Sequence, residues 1–265
     1  MKLGAQTDLI WEEQLNRSHK QMKVLAIDAG NSRIKWGLHD GEGWLVQDWI
    51  ATAQAAGIGR RWANLPRPDS VLACNVAGEG VQRAFAAPAR RLRRAIRFVA
   101  SRATQCGVTS SYDRPSQLGA DRWAALIGAW HLFHGPCVVV NAGTTMTVDA
   151  LTGEGVFLGG MIVPGMDLMR ASLSRNTAGL KPLAGRFAYF PACTADAIAS
   201  GAINALGGAI ERMHRFMREA GLPAPLVVVS GGAAEIVAPE LNVPAEVVDN
   251  LVLEGIVRIA HDEKA

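Results

Sequence analysis

A pattern that occurs twice narrows the folds open to this chain more than any other feature. Val24 to Trp36, "VLAIDAGNSRIKW", is a hydrophobic run that breaks into small polar residues around a glycine and then resumes. Cys137 to Asp149, "CVVVNAGTTMTVD", repeats the arrangement with an asparagine where the first copy has an aspartate. Asp28-Ala29-Gly30-Asn31-Ser32 aligns with Asn141-Ala142-Gly143-Thr144-Thr145, and a Gly-Glu-Gly turn follows each, at Gly41 to Gly43 and Gly153 to Gly155. Two ordinary hairpins sharing "AG" are the simpler alternative. The second turn, at nearly the same distance in both copies, favours a duplicated domain whose glycine turns face each other across a cleft.

The surrounding pattern predicts an α/β fold with mixed sheets. Val24–Ile27, Ile34–Leu38 and Trp44–Ile50 read as a strand meander, and "SVLACNV" (70–76) and "IRFVA" (96–100) as parallel strands reached through a helical Arg/Ala stretch. Arg102 to Gln117 reads as a polar loop. Trp123, Leu126, Ile127 and Trp130 in "GADRWAALIGAWHLF" then have helical spacing. After the second meander come helices from about Gly165, Thr194 and Gly231, and "APLVVVSGG" is a late parallel strand. The long helix stops at Gly221, ahead of Pro223. The expected division is an extension over 1–21, one domain over 22–134 and a second over 135–265.

Composition excludes several classes. Hydrophobic residues make up 49% and charged residues 19%, which argues for a globular chain rather than disorder. Part of the net charge of +3 comes from "RRLRRAIR", Arg90 to Arg97. That run reads as a solvated helix face, since no aromatic or glycine-rich pattern accompanies it, and neither a nucleic-acid nor a membrane partner is expected. Cys74, Cys106, Cys137 and Cys193 form no C-x-x-C pair, which fits free thiols in a reducing compartment. His131 and His134 share a helix face without a third clustered ligand and read as helix surface. Glu12 and Glu13 interrupt what would be a signal-peptide core, so a cytoplasmic protein starting near Met22 is expected.

A strand that ends in small residues and a glycine lets its backbone approach a ligand, and its N–H groups and hydroxyls can cradle phosphate oxygens. Two such turns facing each other make a polyphosphate clamp. Asp28, at a strand end, would hold Mg²⁺ directly or through water, and Lys35 could add a cation, although a mid-strand lysine is as often solvent-facing. Neither a G-x-x-x-x-G-K-[ST] nor a G-x-G-x-x-G motif is present, so P-loop and Rossmann sites are disfavoured.

The D-x-G-N-[ST]-x-x-K opening, the later G-x-D-R, the [DN]-x-G-T-x-x-T-x-D turn and "GGMIVPG", in this order from about Met22 onward, resemble the type III pantothenate kinases. The resemblance implies two ribonuclease H-like domains around a nucleotide cleft, as in the acetate and sugar kinase, Hsp70 and actin superfamily. It implies ATP-dependent phosphorylation of pantothenate to 4'-phosphopantothenate, the first step of coenzyme A synthesis, in a homodimer with the substrate pocket near the subunit interface. The family also includes proteins named Bvg accessory factors.

By that resemblance Asp28, Ala29, Gly30, Asn31, Ser32, Arg33, Ile34 and Lys35 form the first ATP loop, and Thr144 donates a hydroxyl to ATP from the second. Gly119, Ala120, Asp121 and Arg122 match the substrate motif, with Asp121 as general base; Tyr112 and Thr194 match further pantothenate contacts. The ordinary structural readings are helix capping for Asp121 and Thr194 and an ion pair for Arg122. Asn141 stands where much of the family has an aspartate that helps bind K⁺ or NH₄⁺. An amide keeps an oxygen but loses the charge, so a weakened monovalent-cation site is expected. A regulatory protein that keeps the ATP fold, or another kinase or phosphatase of the superfamily, are the alternatives.

Overall fold

The computed structural model describes residues 22–177, 179–180 and 184–263; the expected extension over 1–21 lies outside them. The first meander is β1 (Val24–Ala29), β2 (Arg33–His39) and β3 (Trp44–Ala51). β4 (Ser70–Asn75) and β5 (Arg97–Phe98) follow, with helix α1 (Glu79–Leu92) between them. The sheet order is β3-β2-β1-β4-β5, with β2 antiparallel and β4 parallel to β1.

The segment expected to be a polar loop contains two short strands, β6 (Thr104–Gln105) and β7 (Val108–Ser110). Such short strands carry too little alternation to show in sequence, and pairing partners supply their stability. Helix α2 (Ala120–Phe133) then leads into β8 (Cys137–Ala142), β9 (Thr145–Leu151) and β10 (Val156–Pro164). Helices α3 (Met166–Asn176) and α4 (Thr194–Glu219), strands β11 (Leu226–Ser230) and β12 (Ala245–Val247), and helix α5 (Leu251–Asp262) complete the chain. The helix expected near Gly231 is a single turn, Ala234–Val237.

The second sheet runs β12-β11-β8-β9-β10-β7-β6. Its first five members mirror the first sheet, each strand standing where its counterpart stands: β8 for β1, β9 for β2, β10 for β3, β11 for β4 and β12 for β5. The fold is therefore a duplicated α/β arrangement. One departure is the β6-β7 hairpin, which precedes α2 in sequence yet adds to the edge of the second sheet beside β10.

Strand alternation sorts side chains into three cores. Leu25, Ile27 and Ala29 face α1, with Phe85, Leu92, Trp36 and Trp62. Val24, Ala26, Leu72 and Cys74 face the other way, onto α2 and α5, and Cys137, Val139 and Val228 of the second sheet meet the same two helices. The opposite face of the second sheet packs Val138, Val140 and Val148 against Leu206, Ile210 and Met213 of α4. Helices α2 and α5 thus form a layer common to both sheets. They cross closely because Gly255 lies against the Ala124 carbonyl and Gly128 against that of Leu251, where a Cβ would collide.

Candidate active site

Each glycine turn closes on itself at a strand end. The Gly30 amide donates to the Arg33 carbonyl at 3.0 Å, and the Gly143 amide to that of Thr145 at 3.1 Å. The next parallel strand ties in equivalently, through Val76 N–H to the Ala29 carbonyl and Ala233 N–H to the Ala142 carbonyl, both at 3.0 Å. The two turns meet: Ser32 Oγ and Thr144 Oγ1 are hydrogen-bonded at 2.7 Å, across 112 residues of sequence. Asn31, Ser32, Arg33, Gly143 and Thr144 are exposed there, whereas the Ala29 and Ile34 side chains are buried in the core. Those two can serve a ligand only through backbone groups. The Arg33 guanidinium lies over the Trp49 ring, 4.4 Å from its centroid.

Asp28 is half-buried on the face turned toward α2. It is register-paired with Lys35 on β2 and Cys74 on β4, so the lysine shares this face instead of pointing outward to solvent. Burial, reinforced by the Asp121 carboxylate and partly offset by Lys35, pushes the Asp28 carboxyl up to about 7. The Cys74 thiol donates to the Ala120 carbonyl at 3.2 Å and so links β4 to the first turn of α2. Burial, then the charges of Asp28 and Asp121, raise this thiol well above its ordinary value. It acts there as a neutral, close-packed donor.

Helix α2 is capped by Gly119 and not by a side chain. Asp121 lies in its first turn, half-buried, with Oδ1 accepting from the Arg122 amide at 2.9 Å. The next residue is pinned from the other sheet: Arg122 Nε donates to Asp149 Oδ2 at 3.1 Å, Nη2 donates to Asp149 Oδ1, and Nη1 donates to the Tyr112 hydroxyl at 3.3 Å. The pair is buried. Burial opposes the guanidinium charge, but the bonds and charge of Asp149 outweigh it and hold Arg122 above its ordinary value. Tyr112 rests on Phe157, with ring centroids 5.2 Å apart.

Thr194 is the first residue of α4, with Cys193 at the cap position, so the capping role fails. The threonine is exposed and lines an apolar groove of about 770 Å³ between α3 and α4, together with Leu168, Met169, Leu173 and Ile198. Among the described residues no hydrogen bond joins it to the Arg122 cluster. Asn141 is half-buried at the end of β8, in the place Asp28 holds on β1, and its amide makes no hydrogen bond among the described residues.

Residues 24–215 match the type III pantothenate kinase family. The chain belongs to this family. It is similar to the type III pantothenate kinase of Nitrosospira multiformis, at 44% identity covering 90% of this chain and 91% of that protein. It is likewise 47% identical to the one from Aromatoleum aromaticum, over 91% of this chain and 99% of that protein. Among solved structures, a Baf family transcriptional activator from Campylobacter jejuni superposes with a TM-score of 0.58 at 19% identity, covering 91% of this chain and 98% of that one. The ethanolamine utilization protein EutJ of Carboxydothermus hydrogenoformans gives 0.52 at 13% identity, over 96% and 98%. These two likenesses support the fold alone.

Within this family member, the residue that sequence reasoning passed over is Asp149. It closes the second turn motif, the one signal the sequence offered, but the motif names no partner for it; its burial, which implies a charged partner, is visible only in the fold. Gly160 was missed with it. A bulge in β10 sets Gly160 opposite Asp149, and a Cβ there would lie 2.8 Å from Arg122 Nη2, 2.7 Å from the Val148 carbonyl and in collision with Asp149 Oδ1. Only glycine leaves the ion pair its room.

Proposed function

We propose that this protein transfers the γ-phosphoryl group of ATP to the primary hydroxyl of pantothenate, giving 4'-phosphopantothenate and ADP. The observation that carries the reading is the convergence of both glycine turns, joined at Ser32 and Thr144, on a site where the Asp121 carboxylate acts electrostatically on Asp28. The turns supply N–H groups and hydroxyls to the phosphates. Asp121 accepts the proton of the attacking hydroxyl as its oxygen bonds to phosphorus and ADP leaves in line. Arg122, fixed by Asp149, anchors the start of α2 and with it Asp121. Tyr112, Gly119, Ala120, Arg122 and Thr194 are the proposed pantothenate contacts.

The donor set fits a magnesium ion. Two neighbouring carboxylates, with no cluster of three metal-binding side chains among the described residues, suit a cation that takes its remaining ligands from phosphates and water. Asp28 would hold it, and the ion supplies charge neutralisation at the β- and γ-phosphates. The Asn141 amide oxygen is a weakened monovalent-cation ligand in this reading. No described helix is long and apolar enough to cross a membrane, and cytoplasmic residence is part of the proposal. So are the division at 134/135 and a homodimer in which a second copy covers the groove between α3 and α4.

The test is ADP release in a coupled assay, with and without pantothenate. Pantothenate-dependent turnover is expected, falling about 10²- to 10⁴-fold in Asp121→Asn with an unchanged circular dichroism spectrum. ADP release indifferent to pantothenate, or a fully active Asp121→Asn protein, would contradict the reading.

A further inference from the structure

One cation beside the glycine turns has no anionic partner. Arg33 opens β2 directly after Ser32, and its side chain is exposed. Among the described residues its guanidinium joins no ion pair and donates no hydrogen bond; it rests on the Trp49 ring, 4.4 Å from the centroid. The same guanidinium reaches the other half of the fold. Nη1 lies 3.8 Å from the place a Cβ would take on Gly232, and nothing else comes within 4 Å of that place. Gly232 follows β11, one residue before the Ala233 amide that bonds the Ala142 carbonyl behind the second turn. Arg33 therefore spans the mouth of the cleft beside the Ser32–Thr144 bond.

Trp49 is placed for this contact by register. Asp28, Lys35 and Trp49 form one row across β1, β2 and β3, and Arg33, two residues before Lys35, lies on the same face. Trp49 is 48% exposed and joins none of the three cores, so core packing does not account for its ring. An incidental surface pair would stay within its own sheet. This one puts its cation against the backbone of the other half, next to both turns.

We propose that Trp49 is a positioning residue of the nucleotide site, whose ring holds the Arg33 guanidinium between the two halves of the fold to meet a phosphate oxygen. The inference rests on the phosphoryl-transfer reading and adds to it a residue outside both turn motifs. A carboxylate partner would neutralise the arginine, whereas an aromatic face restrains it and leaves its charge uncompensated for an anionic ligand. Binding a ligand also costs an arginine its rotamer freedom, and a side chain already held loses less of it.

The test titrates the full chain with MgATP and, separately, with inorganic tripolyphosphate, and measures KM and kcat in the coupled assay. Trp49→Ala should raise Kd for both ligands and KM for MgATP about three- to tenfold, with kcat at saturation and KM for pantothenate within about twofold of wild type. Trp49→Phe should recover most of the affinity because it restores a ring, whereas Trp49→Leu restores only apolar bulk and should not. If Trp49→Ala melts early, Trp49→Phe and Trp49→Leu, which both fill the position, carry the comparison. Leu45→Ala, on the same exposed face of β3, should leave both affinities unchanged. Arg33→Ala and the double variant Arg33→Ala/Trp49→Ala should be equally weak, since Trp49 acts through the arginine. Additive losses, full recovery by Trp49→Leu, or wild-type affinity in Trp49→Ala would overturn the proposal. A wild-type chain that binds neither ligand would remove the phosphate site and this inference with it. One that binds both but transfers nothing to pantothenate would refute the acceptor alone, and the Trp49 titrations would still decide this inference.

Discussion

Arg122 and Asp149 form a buried, two-pronged ion pair that joins the first turn of α2 to the second sheet, 27 residues apart in sequence. Its neighbours are Tyr112, which accepts from the third guanidinium nitrogen, and Gly160, which leaves the space. Replacing one member strands the other's charge, which costs about 3–5 kcal/mol. Asp149→Asn should therefore lower the melting temperature and reduce kcat/KM for pantothenate, because Asp121 sits next to the released arginine. Kinetics and thermal denaturation of the variant check this; wild-type behaviour in both would show that the pair anchors nothing.

Gly160→Ala places a methyl group against Asp149 Oδ1 and Arg122 Nη2 without changing any charge. The expected cost is about 1–3 kcal/mol of overpacking, together with a raised KM for pantothenate. A variant that melts with the wild-type protein and keeps its KM would mean that β10 yields freely at the bulge.

The raised Asp28 carboxyl gives a pH dependence whose sign is fixed. Its folded value, about 7, lies above the ordinary unfolded value near 4, so the ligand-free fold prefers the protonated form. The stabilising contribution is complete below about pH 4 and is lost as pH rises through about 7. Asp28→Asn, which cannot ionise, should gain in melting temperature relative to wild type between pH 5 and pH 8 in the absence of nucleotide. Magnesium-nucleotide affinity should run the other way, rising with pH in the wild-type protein, since a cation needs the carboxylate. Parallel melting profiles for the two proteins would count against both statements.

Asn141 offers an amide oxygen where a carboxylate would attract a cation directly. Turnover should change little when KCl replaces a choline salt at equal ionic strength, and Asn141→Asp should acquire saturable activation by K⁺. Strong K⁺ activation of the wild-type protein that vanishes in Asn141→Ala would reverse this.

The groove between α3 and α4 carries Leu173, which is 40% exposed, beside Thr194. Leu173→Glu should shift a homodimer toward monomer in sedimentation and raise KM for pantothenate if the partner borders the substrate pocket. A wild-type protein that sediments as a monomer would remove the second copy from the proposal.

The repeat, both meanders and the long helix were legible because each is local: hydrophobic alternation, a glycine turn and a helix-stopping Gly-x-Pro are written within a few residues. The turn residues Asp28, Gly30, Ser32 and Thr144 were legible for the same reason, as strand-end chemistry. What tertiary structure alone decided is long-range. The β6-β7 hairpin acquires its pairing from β10, Ser32 meets Thr144 only when the two halves close, and Cys74 meets Ala120 only where β4 passes the start of α2. Asp149 could be read as the close of the second turn motif, but the motif names no partner for it. Arg122 became that partner because the two sheets share one helical layer, and packing both against it brings side chains from separate segments within hydrogen-bonding distance.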